Sequence, residues 1–318
     1  MKTLEHYIQA FSRLKRAPGP FPATTRSRAP HKPLLLLAVM DMVDRKSITS
    51  EFISIAGELT ELASLFTAYW RRVMPVEQVS SIAFPFSRLR NEPAGFWKIE
   101  PLPGKAIRDV VTVSSLRGMT MGAHIDPELF GFMKDRQARS QLTECLLLSH
   151  FSTDGQMVLR DEMGIQHSAF AYSTLLLKAK QPDAQKQYSE AARDQGFRRA
   201  IVNCYDHRCA MCGTRIVTAD GYTAVEAAHI KPWSQFKNDE ITNGMALCRL
   251  CHWAFDGGVM AVDDDYAVMA SRQLISTPNA PGFLMTLSGR EIIRPSDQKL
   301  WPARENLAWH RKEIFDRG

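Results

Sequence analysis

The amino-acid sequence predicts an α+β protein made of two domains, the first of them mainly helical. The chain has 318 residues, more than one typical domain, and 45% of them are hydrophobic, enough to build packed cores. Apolar residues recur at helical spacing through most of residues 1–152, with one short strand-like segment at residues 95–99. In the second half, two cysteine pairs bracket another strand-like segment, residues 224–228. Helices therefore dominate the first part of the chain, and a small mixed unit follows.

The first domain, predicted to span residues 1–152, is expected to begin and end with a helix. Leu4, Ile8 and Phe11 give the first helix one apolar face. The apolar run that starts at Pro33 is typical of a buried helix, because proline in the first turn sacrifices no hydrogen bond. Helices are predicted at residues 3–16, 33–45, 56–73 and 136–151.

The net positive charge of the chain lies entirely in this first domain. Residues 1–152 contain 20 Lys and Arg against 14 Asp and Glu, whereas residues 153–318 contain 20 of each. Between Arg13 and Lys32 there are six basic residues and no acid. A basic stripe of this kind suits a polyanion such as DNA. The alternative is a solvated loop whose charges have no partner.

Several classes of protein are not expected. No apolar run reaches the roughly 18 residues of a membrane span, and the N-terminal residues lack the apolar region of a signal peptide. A membrane partner is therefore not predicted, and we expect a cytoplasmic protein. Six cysteines in such a chain favour reduced thiols and metal binding over disulfides. Cys145 and Cys204 lie in apolar contexts and are predicted to be core residues.

The second domain is predicted to span residues 189–318, and residues 153–188 to form a linker or a small subdomain. Two Cys-x-x-Cys pairs mark this domain, separated by the 35 residues 213–247. Each pair can place both sulfurs on one ion, and four thiolates close a tetrahedral shell. The sequence therefore predicts a structural Zn²⁺ held by Cys209, Cys212, Cys248 and Cys251.

Three polar residues lie between and beside the cysteine pairs in an order that suits phosphodiester hydrolysis. His229 ends a strand-like segment, where a neutral imidazole can take a proton from water. Asn243 can pin the backbone or orient the base. His252 follows Cys251 directly and can offer a nitrogen to a second, catalytic divalent ion, Mg²⁺ or Mn²⁺.

These residues resemble the ββα-metal core of bacterial HNH endonucleases over roughly residues 196–262. The matching segments are Glu226-Ala-Ala-His-Ile-Lys-Pro-Trp233, Asn243-Gly-Met-Ala-Leu-Cys248 and Cys251-His-Trp-Ala-Phe-Asp256. The resemblance implies that His229 is the general base, that Asn243 is structural or orienting, and that His252 binds the catalytic metal. Many members place Asp directly before the first His, whereas this chain has Ala228. Strand alternation is expected to point Glu226 away from His229, so that it does not replace this ligand. Phosphate contacts are predicted for Arg198, Arg199 and Lys231.

The first domain resembles the sulfur-binding domain of type IV restriction endonucleases that recognise phosphorothioated DNA. The resemblance rests on Ala29–Leu37, Phe66–Trp70, Phe84–Leu89 and Gly95–Ile99. It implies an apolar wall for sulfur from Phe84, Pro85 and Phe86, with His31 and Lys32 balancing the phosphate charge. This family favours Tyr before the proline and Arg after the histidine; Phe84 and Lys32 depart from that pattern, and Arg88 is expected to compensate. Arg26 and Arg28 complete the predicted DNA-binding set.

Together these features predict a modification-dependent restriction endonuclease of bacterial defence that binds phosphorothioated double-stranded DNA and cuts the backbone nearby. A double-strand cut from one active site per chain suggests a homodimer. Two alternatives remain from the sequence. The first is an HNH endonuclease that recognises methylated or unmodified DNA. The second is a zinc-stabilised DNA-binding regulator without catalysis.

Overall fold

The computed structural model describes residues 2–178, 187–218, 221–275 and 282–315. These residues form two compact units, described separately below. The first contains residues 2–167 with the short segment 221–222, and the second contains the remaining described residues. The mixture of helices and short strands confirms the predicted α+β class. No helix within these ranges is both long enough and apolar enough to cross a membrane.

The first unit is mainly helical and contains one small antiparallel sheet. Its three strands are ordered β1-β3-β2, with Phe52 opposite His124 and Trp97 opposite Ile125. The elements are α1 (Leu4–Ser12), α2 (His31–Asp44), β1 (Phe52–Ser54), α3 (Leu59–Val73), α4 (Ala83–Arg88), β2 (Trp97–Pro101), α5 (Val113–Arg117), β3 (Thr120–Ile125), α6 (Pro127–Lys134), α7 (Arg136–His150) and α8 (Thr153–Leu177), whose first part belongs to this unit.

Helix α2 is the centre of this unit, because every residue from Pro33 to Val43 is buried. One of them is acidic. Asp41 accepts hydrogen bonds from Arg45 Nη2 at 2.6 Å and from the Tyr69 hydroxyl. Burial raises the pKa of Asp41, although the charge of Arg45 and these hydrogen bonds oppose that rise. A buried carboxylate is tolerated here because its charge is paired and its oxygens are bonded.

The segment predicted as a linker or small subdomain, residues 153–188, is largely helical where the structure describes it. Helix α8 occupies 25 residues of it, from Thr153 to Leu177. Residues 179–186 of the segment lie outside the described residues. The predicted domain boundaries stay predictions.

The second unit is built around a two-stranded antiparallel sheet followed directly by a helix. His229 pairs with Gly244 and Val225 pairs with Cys248, so the strand that ends at His229 lies beside the strand that ends at a cysteine. The elements are α9 (Glu190–Cys204), β4 (Val225–His229), α10 (Trp233–Phe236), β5 (Gly244–Cys248), α11 (Arg249–Asp256), β6 (Met260–Val262), β7 (Val268–Ala270) and α12 (Arg304–Glu313).

The C-terminal helix α12 supports this sheet and helix from the outside. Its His310 ring stacks on Phe255 of α11, with ring centroids 3.6 Å apart, and Nε2 lies 3.0 Å from the Phe255 carbonyl oxygen. Asn306 donates to the Thr242 carbonyl at 3.2 Å. The tail of the chain therefore packs against the ββα arrangement of β4, β5 and α11.

Candidate active site and DNA interface

The four cysteines of the two pairs lie together in the second unit. Their sulfur atoms are all within 4.8 Å of one another, and the Cys212 and Cys248 sulfurs are 3.7 Å apart. Sulfurs at the corners of a tetrahedron around zinc, each about 2.3 Å from the ion, lie about 3.8 Å apart. Gly213 has φ +75°, a left-handed value that closes the turn after the first pair at little steric cost. The cluster therefore fits a tetrahedral metal site.

The cluster fixes where helix α11 begins. Cys248 is the last residue of β5, and Cys251 lies buried in the first turn of α11. On the other side, Cys209 and Cys212 lie in the turn after α9, where the Ala210 amide donates to the Ala246 carbonyl at 2.7 Å. The helix that carries His252 is thereby tied to the core of the unit.

His229 stands at the end of β4 with its imidazole ring held on two sides. The ring stacks on Phe197 of α9, with centroids 4.0 Å apart and planes 4° apart. Its Nε2 lies 2.9 Å from Oδ1 of Asp239, and 24% of the side chain remains exposed. Sequence reasoning did not identify Asp239, which lies in a polar loop with no distinguishing pattern.

Gly244, the partner of His229 across the sheet, allows this stacking. A Cβ atom at position 244 would lie 2.5 Å from Cδ1 of Ile201 and 2.8 Å from Cζ of Phe197. Both distances are too short for real contacts, and Phe197 is the ring that packs on the imidazole. The strand position opposite His229 therefore has no room for a side chain.

Asn243 acts on the backbone. It is fully buried, its Oδ1 accepts from the Lys231 amide at 2.9 Å, and its Nδ2 donates to the Lys231 and Asn238 carbonyls at 3.1 and 3.0 Å. These three bonds hold both ends of the loop that links β4 to β5. Of the two roles predicted for Asn243, the structure supports pinning of the backbone.

His252 is flanked by two carboxylates, and one of them was not expected there. Glu226 Oε2 lies 3.3 Å from His252 Nδ1, and Asp256 Oδ2 lies 3.3 Å from Nε2. Glu226 was not expected to replace the missing Asp ligand, yet it contacts the histidine that is predicted to bind the catalytic metal. Alternation does turn Glu226 away from His229, but helix α11 packs on that other side of β4 and brings His252 to it.

The pKa values of the two acids at this site shift in opposite directions. Burial alone would raise the pKa of Glu226, but hydrogen bonds with His252 and Arg249 outweigh the effect of burial and lower this pKa. Burial raises the pKa of Asp256, against the charges of His252 and His229. Glu226 is therefore the carboxylate more firmly held in its ionised form.

The basic residues predicted to contact phosphates in this unit make intramolecular contacts. Arg198 donates to the Val225 carbonyl at 3.3 Å, and the Arg199 guanidinium lies 5.0 Å from the centre of the Phe170 ring. The Lys231 ammonium lies 5.5 Å from the Phe236 ring centre. Their phosphate contacts stay predictions.

In the first unit, His31 lies in a box of aromatic rings. The ring centres of Trp70 and Phe84 are each 4.6 Å from that of His31, and Phe21 is 6.1 Å away. The Arg88 guanidinium covers the Phe84 ring at 3.8 Å. The buried Nδ1 of His31 has no hydrogen-bond partner among the described residues. This aromatic box contains His31 and Phe84, two of the residues predicted to bind the phosphorothioate.

His31 and Lys32 differ in the charge that they can offer to a phosphate. Burial, aided by the charge of Arg88, lowers the pKa of His31 to about 4, so its imidazole is neutral near pH 7. Lys32 forms an ion pair with Glu92, and both side chains are largely buried. His31 therefore brings no positive charge near pH 7, and the phosphate contact of Lys32 stays a prediction.

The predicted wall of Phe84, Pro85 and Phe86 is also only partly correct. These residues lie on helix α4, where consecutive side chains point in different directions while positions four apart share a face. Phe84 and Arg88 therefore face the aromatic box. Pro85 and Phe86 are buried, and the Phe86 ring packs on Trp97 at 5.1 Å, so these two residues belong to the core.

The two predicted loop arginines form a basic group with a third. Arg26 donates to the Phe151 and Leu148 carbonyls at the end of α7, and Arg28 donates to the Arg16 carbonyl at 3.3 Å. Burial, together with the charges of Arg28 and Arg26, lowers the pKa of Arg16 to about 10. Close packing of three cations in this way produces a local positive potential.

Duplex binding by the aromatic box is expected to show no histidine titration between about pH 5 and 8. A cationic His31 would raise affinity as pH falls through 6.5, but its pKa is about 4 and the ring stays neutral. Fluorescence anisotropy at constant ionic strength should give one dissociation constant for a phosphorothioated duplex across this range. His31→Phe, which keeps a ring without a titratable group, should give a parallel profile. Affinity that rises on acidification in the wild-type protein alone would contradict a neutral His31.

The lowered pKa of His31 also affects the stability of the domain. Between pH 6.5 and about 4 the His31 side chain is protonated in the unfolded chain but not in the folded domain. The free energy of unfolding should therefore fall as pH drops through that window.

Two family models match the chain. The model described as HNH endonuclease matches residues 209–263, and the model described as ScoMcrA-like, DNA sulfur-binding domain matches residues 11–168. None of the curated proteins compared with the chain matches it significantly. A solved chain described as modification dependent TagI restriction endonuclease is 22% identical, with a TM-score of 0.29. That alignment covers 38% of each chain, so this protein spans well under half of that relative.

The matched regions contain the features described above. The four cysteines, His229, Asn243 and His252 all lie within the HNH match, and the aromatic box lies within the sulfur-binding match. Both resemblances seen in the sequence are thereby confirmed. The chain therefore combines an N-terminal region that matches the ScoMcrA-like DNA sulfur-binding domain with a C-terminal region that matches the HNH endonuclease domain.

Proposed function

We propose that this protein is a restriction endonuclease that binds phosphorothioated double-stranded DNA and hydrolyses a nearby phosphodiester bond. The observation that carries the proposal is the aromatic box around a neutral His31, in a chain that also contains an HNH site. The box offers apolar surface and one cation at its edge, Arg88, which also forms an exposed ion pair with Asp109 at 3.2 Å. That combination suits a backbone group that is charged but carries one poorly hydrated atom.

Sulfur and oxygen differ in the cost of entering such a box. A phosphorothioate has one sulfur in place of a non-bridging oxygen, and sulfur is larger, softer and a poorer hydrogen-bond acceptor. Burying a polar oxygen without a partner costs roughly 2–7 kcal/mol, and sulfur avoids most of that cost. The Phe84 and Trp70 rings provide the apolar contact, while Arg88 and the group of Arg16, Arg26 and Arg28 attract the backbone.

In the nuclease domain, His229 is the general base. Its Nε2 is occupied by Asp239, which leaves Nδ1 to accept a proton from the attacking water. Glu226 and His252 are the residues that would hold a divalent cation, Mg²⁺ or Mn²⁺. Their donor atoms are 3.3 Å apart, and two ligands at right angles around Mg²⁺ are about 3 Å apart. A cation bound there supplies positive charge to the scissile phosphate and to the leaving oxygen.

The tetrahedral cluster of four cysteines is assigned to Zn²⁺ with a structural role. Four thiolates leave no open position for water, which is the arrangement of structural zinc. Cleavage of both strands takes two such active sites or two successive nicks, because each chain has one His229. We therefore include a homodimer on DNA in the proposal.

A binding experiment tests the sulfur-dependent part. One duplex is prepared in phosphorothioated, cytosine-methylated and unmodified forms, and the dissociation constants are compared. The wild-type protein should bind the sulfur-bearing duplex at least about tenfold more tightly, a difference of roughly 1.4 kcal/mol. Phe84→Ala should remove most of that preference because the sulfur loses the half-buried ring that forms one side of the box. Equal affinity for all three duplexes would refute sulfur recognition, and preference for the methylated duplex would favour a reader of methylated bases.

Phe52→Ala provides a matched control for Phe84→Ala. Phe52 packs on His124 with ring centres 4.7 Å apart and planes 42° apart, nearly the geometry of Phe84 on His31. Phe52→Ala removes the same side chain from the same domain, outside the aromatic box. It should leave the preference for sulfur unchanged.

A further inference from the structure

A buried carboxylate lies directly behind the proposed general base. Asp239 is 2% exposed, and its Oδ1 lies 2.9 Å from Nε2 of His229. The stacked Phe197 ring prevents the imidazole from turning away from this contact. The base is therefore restrained by a face-to-face ring contact and by one in-plane hydrogen bond.

The other oxygen of Asp239 is fixed by two further groups. Oδ2 accepts from the Tyr172 hydroxyl at 2.9 Å and from Arg193 Nη1 at 3.0 Å. The Arg193 guanidinium is 5% exposed and lies 3.7 Å from the centre of the Trp233 ring. The negative charge of Asp239 is thus balanced by a buried cation, and the carboxylate has little freedom to rotate.

The backbone that carries Asp239 is held as firmly. Asn243 donates to the carbonyl of Asn238, the residue directly before Asp239, and bonds both backbone groups of Lys231. The loop is therefore fixed at its start and immediately before the carboxylate. Asn243 consequently acts on His229 through the position of Asp239 rather than by touching the ring.

This arrangement dictates the tautomer of His229. A carboxylate accepts hydrogen bonds only, so the nitrogen that faces it must carry the hydrogen. That nitrogen is Nε2, and Nδ1 is left with a free lone pair. When Nδ1 takes a proton, the resulting imidazolium is stabilised by the adjacent negative charge.

We propose that Asp239 is a positioning residue for hydrolysis: it holds His229 as the tautomer with Nδ1 unprotonated, and Arg193 and Tyr172 hold Asp239. This inference rests on the proposed function, since it assigns a role within that reaction. The sequence carries no motif for it, because the four residues come from α8, α9, β4 and a loop.

A second buried network in the first unit provides a matched control. Asp41 is also bonded by an arginine and a tyrosine, Arg45 and Tyr69, but no histidine ring within the described ranges bonds its carboxylate. Asp41→Asn and Asp239→Asn therefore remove the same charge from the same kind of buried surroundings. The effect on catalysis should follow only the carboxylate that contacts His229.

The test measures single-turnover cleavage by the full-length, zinc-loaded protein at saturating concentration with Mg²⁺. Asp239→Asn should cut about 10²–10⁴ times more slowly than wild type, the range expected when the partner of a catalytic histidine is neutralised. Its dissociation constant for the duplex should stay within about twofold of wild type, since the change concerns proton transfer and not DNA contacts. Asp41→Asn should cut at the wild-type rate. Equal rates for the two variants would overturn the proposal.

A spectroscopic readout keeps the test valid if the variant is unstable or if no duplex is cut. In protein labelled with ¹⁵N-histidine, the signals of His229 are identified by their absence from His229→Ala. The wild-type ring should be the Nε2–H tautomer, and Asp239→Asn should lose that single state, whereas Asp239→Glu should largely restore it and the rate. A wild-type ring protonated at Nδ1 would overturn the positioning role. Failure of the wild-type protein to cut any duplex would instead refute the proposed function.

Discussion

His229→Ala is expected to slow strand cleavage by about 10²–10⁴-fold, the usual contribution of a positioned general base. Its ring is the group held at the end of β4, with Phe197 on one face and Asp239 at Nε2. Duplex affinity should be unchanged, because the aromatic box around His31 lies in the other domain. The measurement is the single-turnover rate on a phosphorothioated duplex with Mg²⁺ or Mn²⁺, beside the dissociation constant.

Glu226→Gln provides the comparison that separates the base from the metal site. Its carboxylate lies 3.3 Å from His252 Nδ1, so its loss should weaken cation binding and be partly rescued by more Mg²⁺ or Mn²⁺. His229→Ala should not be rescued in this way. Full cleavage by His229→Ala would remove His229 as the base. If wild-type protein binds DNA but cuts no duplex with either ion, the non-catalytic regulator becomes the better account.

Removal of the structural metal is expected to unfold the nuclease domain. Structural zinc contributes apparent binding free energies of about 10–16 kcal/mol in zinc-finger peptides, as much as the roughly 5–15 kcal/mol that stabilises a whole domain. Here the cluster joins the turn after α9 to the junction of β5 and α11, so its loss frees the start of α11. Thermal unfolding with and without a strong chelator, together with metal analysis, should show one zinc per chain and loss of a cooperative transition.

Cys204, which lies outside the cluster, provides the control for this experiment. Cys204 is partly buried in the same domain, and burial raises its pKa to about 11, so it remains a thiol. Cys212→Ser should reproduce the effect of the chelator, whereas Cys204→Ser should keep the metal and the wild-type transition. A protein that unfolds at the same temperature with and without metal would contradict a structural role for the cluster.

The sequence was sufficient to predict the four-cysteine cluster and the HNH match because both depend on short, local patterns. Two Cys-x-x-Cys turns and the order His229, Asn243, His252 can be recognised without a structure. Asp239 could not be predicted, since its contacts with Tyr172 and Arg193 join segments separated by 67 and 46 residues. A carboxylate in a polar loop resembles an ordinary surface residue until the fold buries it.

The errors in the first domain have a similar physical origin. Residue type alone predicts one wall from Phe84, Pro85 and Phe86, but a helix turns each successive side chain to a new direction and buries two of the three. Residue type alone likewise predicts a positive charge on both His31 and Lys32. The ionisation of one and the partner of the other depend on burial and on Glu92, which is 60 residues away in the chain.

Glu226 shows that strand alternation gives the direction of a side chain but not its partners. Strand alternation correctly separated Glu226 from His229. The position of α11, which decides what lies on the other side of β4, depends on the cysteine cluster and on the packing of Ala254 and Phe255 in the core. The carboxylate beside His252 could therefore be recognised only once the packing of that helix was known.

The lack of space at Gly244 affects how a genetic screen of this protein would be interpreted. Any side chain at position 244 would displace Phe197, whose ring packs on His229. Random mutagenesis scored by loss of DNA cleavage would thus rank a residue with no reactive group beside His229, the proposed general base. Inactivating substitutions clustered along β5 would identify residues that support the active site by packing. A count of them would overstate the number of residues that take part in the chemistry.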